Sequence, residues 1–287
     1  MAEQARTATR RTTKFLKPVT RELVRARVLA SERISPSFVR VTVGGERLSS
    51  IAPPMGFDHW FRMLFPETGQ SELHLPTAAD DQWWPQLQAM PDDIRPLLRN
   101  YTIRRYRPAG AGRFGDDRGD RHRFRLPRRP GSGVGVGRHR SARRGAGIAR
   151  RGHHLSAVPG RAVAASRRRR ERLPALAGIL DSMEFGRPVE VFVEVADPDD
   201  VTAQELRTGP GVRVHPVVRS DPDLRPDTAV TEAVRAAVLP DEPGYVFLAG
   251  ESGLVTGVRR HLVRERGLPK SSVSFTGYWN YGGAAAY

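Results

Sequence analysis

The sequence contains no cysteine in its 287 residues. That excludes disulfides, thiolate zinc sites, cysteine-held iron–sulfur clusters and a cysteine nucleophile. It agrees with a cytoplasmic protein. No apolar run approaches the roughly 18 residues that a membrane-spanning helix needs. The opening stretch MAEQARTATRRTTKF lacks an apolar h-region and so does not read as a secretory signal. Residues 1–18 are expected to form a flexible basic tail.

Lysine is missing from residues 107–172, where 20 Arg stand against four acidic residues. This block alone carries +16, the formal charge of the whole chain, and the other 27 basic and 27 acidic residues cancel. A charge of this size usually points to nucleic acid or an anionic surface. Confined to one block, it does not describe a basic domain face. The run Arg167 to Arg170 has no aromatic platform or DNA-binding pattern beside it. The block also lacks periodicity of either kind and holds 12 of the 28 glycines, a composition expected to be disordered. Its GSGVGVG run (131–137) has no clear strand before it and no helix after it, so it is not read as a phosphate loop. His153-His154 has no third ligand nearby and is not read as a metal pair.

What is present falls into two patterns. Residues 20–106 read as short strands. Leu23 to Leu29 and Phe38 to Val43 alternate apolar and polar, and a third strand covers Asp58 to Phe65 before Pro66. Trp83 and Trp84 are expected in a polar connection. Such short strands imply a small antiparallel barrel. Residues 173–287 alternate helix and strand. Helices are expected at 173–183, after Asp227, and from Ser252 to Arg266, with Gly267 at a left-handed C-terminal cap. Strands are expected at 189–195, 212–218, 245–250 and in VSFTGYW. This alternation implies a parallel sheet with helices on its faces.

Three short motifs carry chemistry. Arg99-Asn100-Tyr101-Thr102-Ile103-Arg104 matches the R-x-Y-[ST]-x-R signature of ferredoxin-reductase-like flavoproteins. A Tyr ring can stack on an isoalloxazine, a Thr hydroxyl can bond its edge, and Arg suits a pyrophosphate. By itself the pattern also suits a plain edge strand with outward Arg. Gly250-Glu251-Ser252 lies at a strand end and a helix start, where phosphate-bearing ligands bind in open α/β sheets. An ordinary tight turn reads the same way. The third is Arg260-x-Leu262-x-x-Glu265-Arg266-Gly267-Leu268 followed by Gly277-Tyr278-Trp279.

Together with Asp58-His59 and Phe65-Pro66, these motifs resemble the siderophore-interacting protein family over about 20–106 and 173–280. Past Trp279 the family usually continues with basic residues, whereas this chain reads Asn280-Tyr281-Gly282-Gly283. The resemblance implies an N-terminal antiparallel FAD-binding barrel (19–172) and a C-terminal NAD(P)H-binding-like α/β domain (173–287). It implies that Arg99, Tyr101, Thr102 and Arg104 hold FAD. Gly250, Glu251 and Ser252 would face NADPH, NADH or ferredoxin, with Tyr278 and Trp279 in the C-terminal motif. The implied activity is FAD-dependent reduction of Fe(III) to Fe(II) in a ferric siderophore, by a cytoplasmic monomer with no metal site, no membrane and no specific nucleic acid. No catalytic side chain is assigned. Two alternatives stay open: an NAD(P)H-dependent flavin reductase of another substrate, and a non-enzymatic Arg-rich nucleic-acid binder.

The family expects D-F-V-x-H-G after the R-x-Y-T-x-R motif, and G-D-E-[ST] just before Leu173-Pro174-Ala175. Both are missing from the chain. Read one base later, the codons of Arg123 through Arg129 permit Asp-Phe-Val-x-His-Gly-Asp. Those of Arg168 through Glu171 permit Gly-Asp-Glu-Ser. Residues 107–172 are therefore expected to be out of frame, and the chain as written is potentially inactive. A genuine Arg/Gly-rich insertion is the other reading.

Overall fold

The structure, a computed structural model, describes residues 22–45, 47–48, 57–78, 82–107, 120–127, 145–150, 173–184, 186–219, 228–239 and 244–279. The N-terminal half is a closed barrel of six strands in the order β1-β2-β5-β4-β3-β6. These are β1 (Leu23–Arg33), β2 (Phe38–Gly45), β3 (Trp60–Phe65), β4 (Leu97–Arg107), β5 (Asp120–Pro127) and β6 (Gly145–Arg150). All neighbours are antiparallel. Alternation along the strands turns Val24, Val41, Val43, Phe61, Met63 and Tyr101 into one interior core.

Two of the barrel strands lie in the Arg-rich block. The expectation that 107–172 lacks regular structure is therefore corrected at Asp120–Pro127 and Gly145–Arg150. The physical reason is that ladder pairing is made by backbone groups and needs no side-chain pattern. β5 supplies the partner of β2 and β4, and β6 that of β1 and β3, so no barrel edge is left open. The GSGVGVG run, His153-His154 and Arg167 to Arg170 lie outside the described residues.

A second correction concerns Trp83 and Trp84. They open the helix α1 (Trp83–Ala89), and Trp83 packs on the outer face of the barrel with Leu64 and Leu87. The Arg62 guanidinium lies over Trp84, 4.3 Å from its ring centroid. An aromatic pair in a polar sequence context thus forms a small satellite core.

The C-terminal half contains α2 (Leu173–Ser182), β7 (Val189–Val195), α3 (Asp199–Thr202), β8 (Val212–Val218), α4 (Thr228–Ala236), β9 (Val246–Glu251), α5 (Ser252–Arg260) and β10 (Val273–Trp279). Its strands form two parallel pairs, β7–β8 and β9–β10. α2 packs on one face with Val191, Val193 and Phe247. α4 and α5 pack on the other with Phe192, Val246 and Leu248. α5 runs on into a π-helical turn, His261–Glu265, and Gly267 follows in the left-handed region at φ 71°, as its capping position requires. Arg266 reaches back to the end of α4, donating to the Arg235 carbonyl at 2.7 Å and the Ala237 carbonyl at 2.9 Å.

The two halves are joined by the β1–β2 turn. Phe38 enters the core beneath α2. Ser35 Oγ donates to Asp200 Oδ1 at 2.7 Å, and the Ser37 amide donates to the same oxygen at 3.2 Å. Among the described residues, the two non-glycine residues with left-handed backbone, Phe57 (φ 51°) and Glu205 (φ 49°), both lie in this junction. Each such conformation costs about 1–3 kcal/mol and persists where surroundings over-determine it. The Phe57 amide donates to Ser182 Oγ at 2.7 Å. The Glu205 carboxylate receives Arg40 at 3.2 Å and pairs with Arg105 at 3.9 Å.

Candidate functional site

β4 carries the Arg99–Arg104 motif antiparallel to β3, with Tyr101 opposite Phe61, Asn100 opposite Arg62 and Thr102 opposite Trp60. The two-residue period of a strand divides the motif between two faces. Tyr101 points into the barrel core. Its ring lies 6.0 Å from that of Phe61 and 6.5 Å from that of Phe65, and it is 9% exposed. Arg99 is half-buried, and its Nη1 donates to the Leu98 carbonyl at 2.7 Å. Asn100, Thr102 and Arg104 take the outer face.

Arg104 is occupied by the second domain. Its side chain is 2% exposed and ion-paired with Asp181 of α2. Nη2 donates to the Gln204 carbonyl at 2.9 Å and the Glu205 carbonyl at 3.2 Å. Both terminal nitrogens are thus engaged by the second domain, while Nε is buried and has no hydrogen-bond partner. In this arrangement Arg104 links the two domains and the Tyr101 ring takes a core position. The reason is the same in both cases: a strand signature states residue spacing, while tertiary packing decides which face meets what.

The rest of the motif fits a flavin better. Asn100 Oδ1 is buried and has no hydrogen-bond partner, and Thr102 lies two residues further along the same face. A buried acceptor without a donor costs about 1–3 kcal/mol. The N–H and carbonyl edge of an isoalloxazine would satisfy both groups. Asn100 was missed in the sequence reading. The signal available was the strand period, which puts Asn100, and not Tyr101, on the face of Thr102.

At the other end, two sequence-distant motifs meet. β9 and β10 pair with Gly250 opposite Gly277 and Glu251 opposite Trp279. A Cβ on Gly277 would lie 2.7 Å from Ser252 Oγ, so a side chain there would make the Ser252 hydroxyl turn aside. Glu251, 4% exposed, is the N-cap of α5; its carboxylate accepts from the Gly253 amide at 2.7 Å and the Leu254 amide at 3.1 Å. These helix N-terminal donors, which could have faced a phosphate, are taken by the chain's own carboxylate. Gly250, Glu251, Ser252, Tyr278 and Trp279 are thus brought to the carboxyl ends of one strand pair. Arg99, Thr102 and Arg104 belong to the barrel.

Asp58 and His59, each 1% exposed, sit where the domains meet. The His59 carbonyl accepts from the Ile103 amide at 2.9 Å. Burial pushes the Tyr245 phenol up, a hydrogen bond with Ser274 opposes this, and the Asp58 charge raises it further. In the C-terminal motif, His261 Nε2 accepts from Arg266 Nε at 3.2 Å, so the Nδ1–H of the neutral ring donates to Glu265 at 2.7 Å. That bond is the main cause holding the Glu265 carboxyl below the ordinary range. The motif therefore clamps α5 to α4. Among the described residues, no cluster of three His, Cys, Asp or Glu could hold a metal, and no helix is long and apolar enough to cross a membrane.

Comparisons with known proteins place one family model in each half of the chain. Residues 27–112 match the model of the siderophore-interacting FAD-binding domain, and residues 172–282 match that of the siderophore-interacting protein. The chain is 30% identical over 112 residues to the mycobactin import ATP-binding/permease protein IrtA of Mycobacterium tuberculosis, spanning 12% of its length. It is 27% identical over 273 residues to an uncharacterised protein of Mycobacterium tuberculosis, covering 89% of each chain. Among solved structures, a siderophore utilization protein from T. fusca superposes with a TM-score of 0.73 at 23% identity, covering 95% of this chain and 98% of that one. A siderophore-interacting protein from Aeromonas hydrophila gives 0.68 at 21%, covering 93% and 94%. The ferredoxin reductase in carbazole 1,9a-dioxygenase gives 0.59 at 15%, covering 91% and 71%, which shows a shared fold. With one family model on each half, in order, and the fold shared with solved siderophore-interacting structures, the chain belongs to the siderophore-interacting protein family.

Proposed function

We propose that this chain derives from a FAD-dependent ferric-siderophore reductase, a cytoplasmic monomer that takes electrons from NADPH, NADH or ferredoxin. The observation that carries the reading is the pair of family matches, an FAD-binding domain followed by the siderophore-interacting half. The match to a protein named for mycobactin import favours an imported iron chelate as substrate. Fe(III) suits hard oxygen ligands and Fe(II) is held weakly by them, so reduction releases iron.

Asn100 and Thr102 would meet the flavin edge, and Arg99 would balance its phosphate charge. Gly250, Glu251 and Ser252, with Tyr278 and Trp279 beside them, would border the donor. When bound, FAD supplies the passage from a two-electron donor to a one-electron acceptor. The protein supplies position and electrostatics.

The reading attaches to the protein with residues 107–172 in frame. Two expected flavin- and donor-side segments are absent from the chain as written, and a single-base shift accounts for both and for the Arg excess. Resequencing the gene across codons 105–175 tests this. Base changes that restore the H-G-D and G-D-E stretches support it, and an unchanged sequence supports a true insertion.

Function is tested by titrating the restored protein with FAD, then following Fe(II) release from ferric siderophores with a ferrous-specific dye. Release with NADPH, NADH or reduced ferredoxin supports the proposal. Flavin binding without iron release favours a flavin reductase of another substrate. Steeply salt-dependent binding of the chain as written to any DNA, without flavin binding, favours the nucleic-acid alternative.

A further inference from the structure

Residues 71–78, which follow β3, form neither helix nor strand, yet side chains fix both ends of this stretch. Before it, the chain turns at 67–70 with Gly69 in the left-handed region at φ 99°. The Gln70 side chain closes that turn, its Oε1 accepting from the Glu67 amide at 2.9 Å. Its Nε2 donates to the Asp93 carbonyl at 2.9 Å and the Arg95 carbonyl at 3.0 Å. At the far end Gln86 of α1 holds the chain, and its Oε1 accepts from the Thr77 amide at 2.9 Å and the Ala78 amide at 2.8 Å. Between these anchors Leu75 packs against the satellite core of Leu64, Trp83 and Leu87. The stretch is thus a strap pinned at both ends and in the middle.

A cavity of about 440 Å³ lies against this strap, lined by Arg25 of β1 and by Glu72, Leu73, His74 and Leu75. Val24 and Ala26 enter the barrel core, so strand alternation turns Arg25 outward. Small-molecule sites commonly span roughly 300–1,000 Å³. The lining is mixed. Arg25, Glu72 and His74 are exposed and polar, whereas Leu73 and Leu75 are half-buried and apolar. The planar fork of Arg25 suits a carboxylate. Glu72 suits an ammonium, and an aliphatic chain can lie along the two leucines. A ligand of one charge would meet attraction from one wall and repulsion from the other. A ligand carrying both signs meets attraction from both.

We propose that this cavity binds a small zwitterion with an apolar body, of the amino-acid or short-peptide class. Its carboxylate is received by Arg25 and its ammonium by Glu72, with His74 offering a further hydrogen bond. The pinned strap sets the wall before the ligand arrives, which lowers the ordering cost of binding. None of the five residues is assigned above to the flavin or to the electron donor, and all five precede the Arg-rich block. The site is therefore separate from the redox reading.

The test is calorimetric titration of the full chain with leucyl-leucine. N-acetyl-leucyl-leucine, which lacks the cation, and leucyl-leucine amide, which lacks the anion, are the controls. Arg25→Gln and Glu72→Gln are each expected to weaken leucyl-leucine binding by about tenfold, the effect of one lost charge-assisted contact. Each control should bind the parent chain about tenfold more weakly than leucyl-leucine. Both substituted side chains are exposed, so thermal midpoints should stay within about 2 °C of the parent, which separates loss of ligand from loss of fold. Absence of leucyl-leucine binding up to about 10 mM overturns the proposal. So does an affinity that neither substitution changes. Weakening by only one substitution, or a control that binds as well as leucyl-leucine, overturns the zwitterionic assignment.

Discussion

The Arg104 guanidinium on barrel strand β4 is ion-paired with Asp181 on helix α2, across the boundary between the two domains. The same side chain donates to the Gln204 and Glu205 carbonyls, so one buried cation holds three acceptors of the neighbouring domain. Arg104 thus links a cofactor-motif strand to the loop after α3.

Replacing Arg104 by Ala removes the partner of Asp181 and of two carbonyls. Breaking a buried pair costs about 3–5 kcal/mol; with Asp181 35% exposed, about 2–3 kcal/mol is expected. Urea denaturation of the full chain measures it. The affinity of the frame-restored protein for FAD should change less than about twofold, because Arg104 is a domain link. A tenfold weaker FAD affinity would instead assign it to the cofactor.

Gly178 on α2 has no room for a side chain. A Cβ there would lie 2.5 Å from the Phe57 carbonyl oxygen, which belongs to a left-handed residue at the domain junction. Gly178→Ala is expected to cost about 1–3 kcal/mol by overpacking, despite the better helix propensity of Ala. Thermal unfolding should show a lower midpoint, and an unchanged one would mean that the junction yields freely.

Glu251→Ala removes the cap of α5 and leaves the Gly253 and Leu254 amides without their carboxylate. Loss of a cap costs about 0.5–2 kcal/mol. It also removes a negative charge from the helix N-terminus. Inorganic phosphate should therefore stabilise the Ala variant more than the parent, a difference that calorimetric scans with and without phosphate would reveal.

Tyr245 and Glu265 bracket the pH range. The folded Tyr245 phenol is held above its ordinary 10.0 by burial. The unfolded chain thus ionises first, and stability is intact below about pH 10 and falls as pH rises through the folded value. Tyr245→Phe should flatten that alkaline fall in denaturant titrations. The folded Glu265 carboxyl is lowered from 4.5 by the His261 hydrogen bond. Its contribution is present above that pH and is lost as pH falls through the folded value. Glu265→Gln should remove this share of the acid slope, and an unchanged slope would mean that the bond adds nothing.

The amino-acid sequence by itself determined the elements with strong local periods. β1, β2, β7, α2 and α5 follow from alternation or helical spacing, and Gly267 from the left-handed cap that a helix end requires. It also determined the partition of charge, because counting Arg needs no coordinates. Only tertiary structure decided what those elements meet. Tyr101 and Thr102 are adjacent in sequence, yet one enters the barrel core and the other faces outward. Arg104 found its partners at 181, 204 and 205, and Gly250 met Gly277, through contacts that no local pattern encodes. Strands β5 and β6 arose in a stretch without periodicity because barrel closure is satisfied by backbone groups, which every residue but proline carries in full. Periodicity is a property of a segment, and the choice of partner is a property of the whole packed chain.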